Sequence, residues 1–153
     1  MIKRAATIHL FYCANSMTEG ELQGLQTRLD ADGLRTLSLP CSGKATIPYL
    51  LKAFEKGADG VVLCTCPEAQ CKHLEGNLRA AKRAEAVDGL LGEIGFGKGR
   101  VVVVTKEQGQ SEKLMDAIRQ LQTELGEVYS VGAKPTRAVL AGGRAGHRRE
   151  NAA

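Results

Sequence analysis

The chain has 153 residues, of which 43% are hydrophobic, and a formal charge of +4: apolar material for one ordinary core, and no bias towards disorder. Five cysteines are too few for a disulfide scaffold of this length, and their odd number would strand one thiol in an oxidising compartment, so reduced thiols or a metal centre are expected. With 4% aromatics, no tryptophan and its whole charge excess after Val128, the chain lacks the basic, aromatic-lined face of a nucleic-acid binder.

Ala6 to Cys13 is β-prone and ends at the turn formers Ala14-Asn15-Ser16, which predicts a first strand. The basic start Met1 to Arg4 imitates a signal peptide, but His9 interrupts the apolar run and no small-residue cleavage site follows. No apolar run approaches the roughly 20 residues of a membrane span, so a soluble, cytoplasmic protein is expected.

Thr18 with Glu21 three residues later reads as a capping box opening a helix that runs to about Leu29. Leu34 to Pro40 gives a second strand with imperfect alternation of Leu34, Leu37 and Leu39, and Cys41-Ser42-Gly43 is its exit. Pro48 suits the first turn of a second helix, in which Ile47, Leu50, Leu51 and Phe54 recur at helical spacing until Gly57. Gly60 to Cys66 is nearly all apolar, as in a central parallel strand buried on both faces, and Pro67 stops it. After a loop from Pro67 to Gly76, a long helix is expected over Leu78 to Ile94. A turn at Gly95 to Gly99, a fourth strand over Arg100 to Thr105 and a last helix capped by Ser111 follow, the helix with Leu114, Ile118, Leu121 and Leu125 on one face. The glycines of Gly95 to Gly99 precede a strand, whereas a dinucleotide fingerprint would follow one, so they read as a turn.

This alternation predicts an α/β protein, an open parallel four-stranded sheet with helices on both faces, flavodoxin- or Rossmann-like, in the order 2-1-3-4. Its switch point would lie between strands one and three, where ligands of such sheets bind. Residues 1–127 form the expected domain, and 128–153 a basic, flexible tail holding Lys134, Arg137, Arg144, Arg148 and Arg149 against Glu150.

Parallel strands deliver their C-terminal ends to one edge, so Cys13, Cys41 and Cys66 should converge there, with Cys71 five residues after Cys66. Four thiolates suit an iron–sulfur cluster of either common type, and equally a structural zinc ion. Free cysteines can instead be small core residues. That reading suits Cys64, one pleat deeper on the strand. Cys13-Ala14-Asn15-Ser16 is also a C-x-x-S, the motif of a monothiol redox enzyme, although the cis-proline turn of a thioredoxin-like fold is not found. His73 is the one histidine near the set. Lys44, Lys72, Arg79, Lys82 and Arg83 would ring the same edge, as a wet helix face or as a docking rim.

The ordered combination of Gly57 to Leu63, Cys66-Pro67-Glu68-Ala69-Gln70-Cys71, Glu75-Gly76-Asn77 and Lys82-Arg83 resembles the delta subunit of methyl-viologen-reducing hydrogenase. Cys41-Ser42-Gly43 and Phe11 to Ser16 are similar to its other cysteine-bearing steps, so that the likeness covers Ile8 to Leu121. The resemblance implies a non-catalytic electron-transfer subunit with one 2Fe-2S cluster, ligated by Cys13, Cys41, Cys66 and Cys71. It also implies partners: a flavoprotein like the A component of heterodisulfide reductase, and a hydrogenase or formate dehydrogenase. Tyr12 and Ser16 stand where that family's first-strand exit commonly has further cysteines.

Overall fold

A computed structural model describes residues 6–29, 33–67, 71 and 75–130, with side chains as far as residue 126. Strands and helices alternate as β1 (Ile8–Cys13), α1 (Glu19–Arg28), β2 (Leu34–Leu39), α2 (Ile47–Glu55), β3 (Gly60–Thr65), α3 (Gly76–Glu93), β4 (Val101–Thr105) and α4 (Ser111–Ser130). A single 3-10 turn, Ser42–Lys44, lies between β2 and α2. Every pairing is parallel, and the sheet order is β2-β1-β3-β4. The α/β fold and strand order expected from the alternation are therefore found.

Two cores sandwich the sheet. On one face Ile8, Leu10, Val62, Cys64 and Val104 pack with Leu25 of α1 and with Leu114, Met115, Ile118, Leu121 and Leu125 of α4. On the other, Phe11, Val61 and Leu63 pack with Leu50 and Phe54 of α2 and with Ala80, Ala84, Val87 and Leu91 of α3. Burial on both faces accounts for the unbroken apolar reading of β3, every residue of which is buried. The weaker pattern of β2 has the opposite cause. It is an edge strand, paired only with β1, and its Leu37 is 46% exposed.

Local signals place the helix starts. Thr18 Oγ1 accepts the Glu21 N–H while the Glu21 carboxylate accepts the Thr18 N–H, the two bonds of the expected capping box. Thr46 caps α2 by accepting from Tyr49, with Pro48 in the first turn, and Gly57 at φ 105° ends it in a conformation that favours glycine. Helix α3 begins at Gly76, before the expected Leu78, because Gly76 and Asn77 are drawn against the Cys41 turn and the Cys66 carbonyl. Ser111 is the first residue of α4, but its hydroxyl donates to Glu21 of α1 at 2.9 Å. His9 is a buried strand residue, as expected, and burial first of all holds its imidazole below the usual histidine range.

Among the described residues no helix is long and apolar enough to cross a membrane. Helix α4 continues to Ser130, so the expected boundary at 127/128 falls inside it. Residues 131–153, which carry all the basic side chains of the expected tail, lie outside the described residues, as do Lys72 and His73.

Candidate thiol site at the sheet edge

Cys13 is the last residue of β1 and Cys66 the first after β3; these neighbouring strands run in register from Ile8 opposite Gly60 to Tyr12 opposite Cys64. The backbone therefore brings the two cysteines together, and their sulfurs stand 3.4 Å apart at the switch point. Both residues are buried.

Cys41 and Cys71 arrive by another route, on connecting segments. Cys41 opens the 3-10 turn, where its sulfur accepts the Gly43 N–H at 3.4 Å. Its thiol is hydrogen-bonded with that of Cys71, which is half-buried. The first turn of α3 closes over this pair through glycine. A β-carbon on Gly76 would overlap the Cys41 sulfur and stand 3.5 Å from that of Cys71, and one on Gly43 would stand 3.0 Å from the Gly76 Cα. Here a missing side chain makes the space in which the sulfurs sit.

Two further contacts fix the rim. Asn77, buried, donates its amide to the Cys66 carbonyl at 3.1 Å, tying the start of α3 to the end of β3. Arg83 donates to the Gly43 carbonyl and so holds the Cys41 turn against α3. Of the expected basic ring, Lys44, Arg79 and Lys82 are exposed, but Arg83 is half-buried and committed to this bond.

The thiols acidify one another's surroundings poorly. Burial pushes the Cys66 thiol up to about 12, reinforced by the hydrogen bond and charge of Cys13 and by Cys71 and Cys64. Burial also raises Cys41, against the Gly43 N–H and together with Cys71 and Cys13. Such crowding disfavours several thiolates at once unless a cation joins them, which is how metal binding and thiol deprotonation are coupled. Among the described residues no three His, Cys, Asp or Glu side chains are disposed to hold one metal ion. The sulfurs are apposed in two pairs, Cys13 with Cys66 and Cys41 with Cys71.

Cys64 stands apart. It is fully buried within the core between the sheet and the α1/α4 layer, and its sulfur lies 3.5 Å from the Ser16 hydroxyl. It shares a strand face with Cys66 but lies one pleat deeper, away from the open edge, and the packing agrees.

Three features take roles that the sequence-based expectations did not include. Lys106, just after β4, looks like an ordinary solvated exit residue, yet its side chain is 0% exposed and bonded to Ser16 and Glu21. The Gly43–Gly76 approach joins segments with no sequence relation, and Arg83 has the spacing of a wet helix face. Asn77 and Gly76 do carry a signal, as part of the Glu75-Gly76-Asn77 step.

Comparison with known proteins gives the family. Residues 8–128 match the family described as FlpD, methyl-viologen-reducing hydrogenase delta subunit. The chain belongs to that family. It is 32% identical over 105 residues to the vhu iron-sulfur D protein of the F420-non-reducing hydrogenase from Methanocaldococcus jannaschii, covering 69% of this chain and 76% of that protein. The corresponding protein of Methanococcus maripaludis is 30% identical over the same shares. The A component of ferredoxin:CoB-CoM heterodisulfide reductase from Methanosarcina mazei is 26% identical over 149 residues, 92% of this chain but 19% of that much longer protein. The delta-subunit matches and the heterodisulfide reductase likeness together associate the family with electron-transfer complexes of both kinds.

Proposed function

We propose that this FlpD-family protein is an electron-transfer subunit that binds one 2Fe-2S cluster through Cys13, Cys41, Cys66 and Cys71. The observation that carries the reading is the gathering of these four thiols, from the ends of three strands and the segments that follow them, at the switch-point edge of the sheet, while the fifth is left in the core. Two apposed pairs suit two irons with two thiolates each better than one tetrahedral zinc ion. Relatives named iron-sulfur subunits support a cluster in general, and the pairing supports its type.

When bound, such a cluster accepts and releases single electrons. The residues of this chain supply the rest. Cys13 and Cys66 offer donors fixed by the sheet, Cys41 and Cys71 offer donors on a turn, and Gly43 and Gly76 keep the space between them open. The Gly43 N–H already points at the Cys41 sulfur, a contact of the kind that stabilises thiolate charge. In this reading the protein passes electrons between a hydrogenase or formate dehydrogenase and the flavin of a protein like the A component of heterodisulfide reductase, in the cytoplasm, with chemistry left to those partners. A monothiol enzyme fits less well, because Cys13 is buried and α1 begins only after Thr18, further along the chain than such a motif places its helix.

Anaerobic purification with iron and acid-labile sulfide assays, followed by EPR after dithionite, tests the reading. Iron and sulfide in equal amounts with a reduced-state signal are expected, and stoichiometric zinc without sulfide overturns the cluster. Cys66→Ser or Cys71→Ser should abolish the chromophore while Cys64→Ser retains it. Loss of the cluster in the Cys64 variant would overturn the ligand assignment.

A further inference from the structure

Beside the thiol edge lies a cation that the ligand set does not use. Lys106 follows β4, its backbone N–H held by the Thr65 carbonyl at 3.0 Å, so its side chain starts next to the segment that delivers Cys66. The side chain does not leave for solvent. Its ammonium is fully buried and donates to the Ser16 carbonyl at 2.6 Å, the Glu107 carbonyl at 3.0 Å and Glu21 Oε1 at 3.2 Å, three acceptors for three donors. Glu21 in turn accepts from the Gly109 N–H at 2.7 Å, the Ser111 hydroxyl at 2.9 Å and the Thr18 N–H at 2.8 Å. One lysine and one glutamate thus join the loop after β1 to the loop after β4.

Ser16 carries the connection to the thiols. Its N–H donates to the Cys13 carbonyl at 2.9 Å, its hydroxyl donates to the same carbonyl at 2.7 Å, and that hydroxyl lies 3.5 Å from the Cys64 sulfur. The ammonium therefore grips the turn that bears Cys13 through one residue. A buried ion pair is weak evidence for stability, because desolvating two charges cancels most of their attraction, so its consequence is sought in what it holds and what field it sets. The ammonium is bonded to Ser16 itself, while Glu21 is joined to Ser16 through that ammonium, which places the positive end of the pair towards the Cys13 turn.

We propose that Lys106 is a positioning residue of the thiol pocket, holding the Cys13 turn in place through Ser16 and setting positive charge against the pocket's rear. The inference rests on the cluster reading above. Reduction of a cluster adds negative charge, so a buried cation nearby favours the reduced state and raises the midpoint potential. The Glu21 carboxylate opposes that effect.

The test exploits the fact that Lys106→Met and Glu21→Gln break the same ion pair but remove charges of opposite sign. In the full, cluster-loaded chain, potentiometric EPR titration should show a lower midpoint for Lys106→Met and a higher one for Glu21→Gln. A latch that acts only by packing would shift both the same way or neither, and either result overturns the proposal. Should Lys106→Met fail to fold, Glu21→Gln decides alone: an unchanged or lowered midpoint overturns it. A second readout needs no cluster. In cluster-free protein, alkylation followed by peptide mass spectrometry should show Cys13 reacting several-fold faster in either variant, with Cys71 unchanged. If the wild-type chain never binds iron, the cluster reading fails by itself, and an unaltered ratio of Cys13 to Cys71 labelling then sinks the positioning role too.

Discussion

The two halves of the thiol site are built by different means. Cys13 and Cys66 are presented by neighbouring strands in the middle of the sheet, so their separation follows from the ladder between β1 and β3 and from the core on either side. Cys41 and Cys71 are presented by connecting segments, and their position depends on a few contacts with the first turns of α3. A pair set by the sheet is as hard to move as the fold itself. A pair set by a turn can be displaced while the fold survives, and this contrast ranks the perturbations that follow.

The largest effect should come from Gly76→Ala. Alanine favours a helix over glycine by about 1 kcal/mol, so on local grounds the change should stabilise α3. Its β-carbon, however, would overlap the Cys41 sulfur, while the sheet-borne pair is untouched. The expected outcome is folded protein, with circular dichroism unchanged, that binds less than about a tenth of the wild-type iron, a loss of the order given by removing ~1.4 kcal/mol. Normal loading by this variant would mean that Cys41 need not sit where it does, and the contrast between the two pairs would lose its point.

Arg83→Met should act on the same half more mildly. The lost bond from a guanidinium to the Gly43 carbonyl is worth about 1.5–3 kcal/mol where it is shielded from water. Part of that cost falls on the Cys41 turn and part is recovered by hydration, so the cluster should form but be lost several-fold faster to a chelator. Lys82→Met, which removes a neighbouring but exposed charge, is the control and should release iron at the wild-type rate. Equal rates for the two variants would return Arg83 to the wet helix face its spacing suggests.

The same contrast explains what could be read from the sequence. Strand exits are local signals, so the convergence of Cys13, Cys41 and Cys66 followed from the alternation of elements, and the core reading of Cys64 followed from its place one pleat deeper than Cys66 on the same strand face. The capping box of Thr18 and Glu21 was equally local. The supports were not. Glu21 also binds Gly109 and Ser111, far along the chain, and Lys106 reaches back to Ser16 across the tops of the strands. Their partners come from the parallel topology, which brings the loops after β1 and β4 to one edge, and a lysine in a polar exit loop gives no hint of burial before that topology is known. The glycine approach is invisible for a related reason: Gly43 and Gly76 each have an adequate local explanation as a turn and a helix start.

Acid provides the gentlest probe, and it acts on the sheet-borne half. Burial alone would raise the Glu21 carboxyl, but the N–H groups of Thr18 and Gly109, the Ser111 hydroxyl and Lys106 outweigh it and bring its pKa from 4.5 down to about 2. A carboxyl with a depressed folded-state pKa binds fewer protons folded than unfolded, so it stabilises the fold in full above the unfolded value of 4.5, and that contribution is lost as pH falls towards 2. Glu21→Gln removes it. Denaturant titrations should therefore show wild type more stable than the variant by a constant margin from about pH 5.5 to 7, narrowing below 4.5 and nearly closed at 2. The Cys41 turn has no such carboxylate support among its described contacts, so the corresponding margin between wild type and Arg83→Met should not narrow over the same range. A Glu21→Gln margin that stayed constant down to pH 2 would show that the carboxylate's charge does not hold the loops after β1 and β4 together, leaving the sheet alone to fix Cys13.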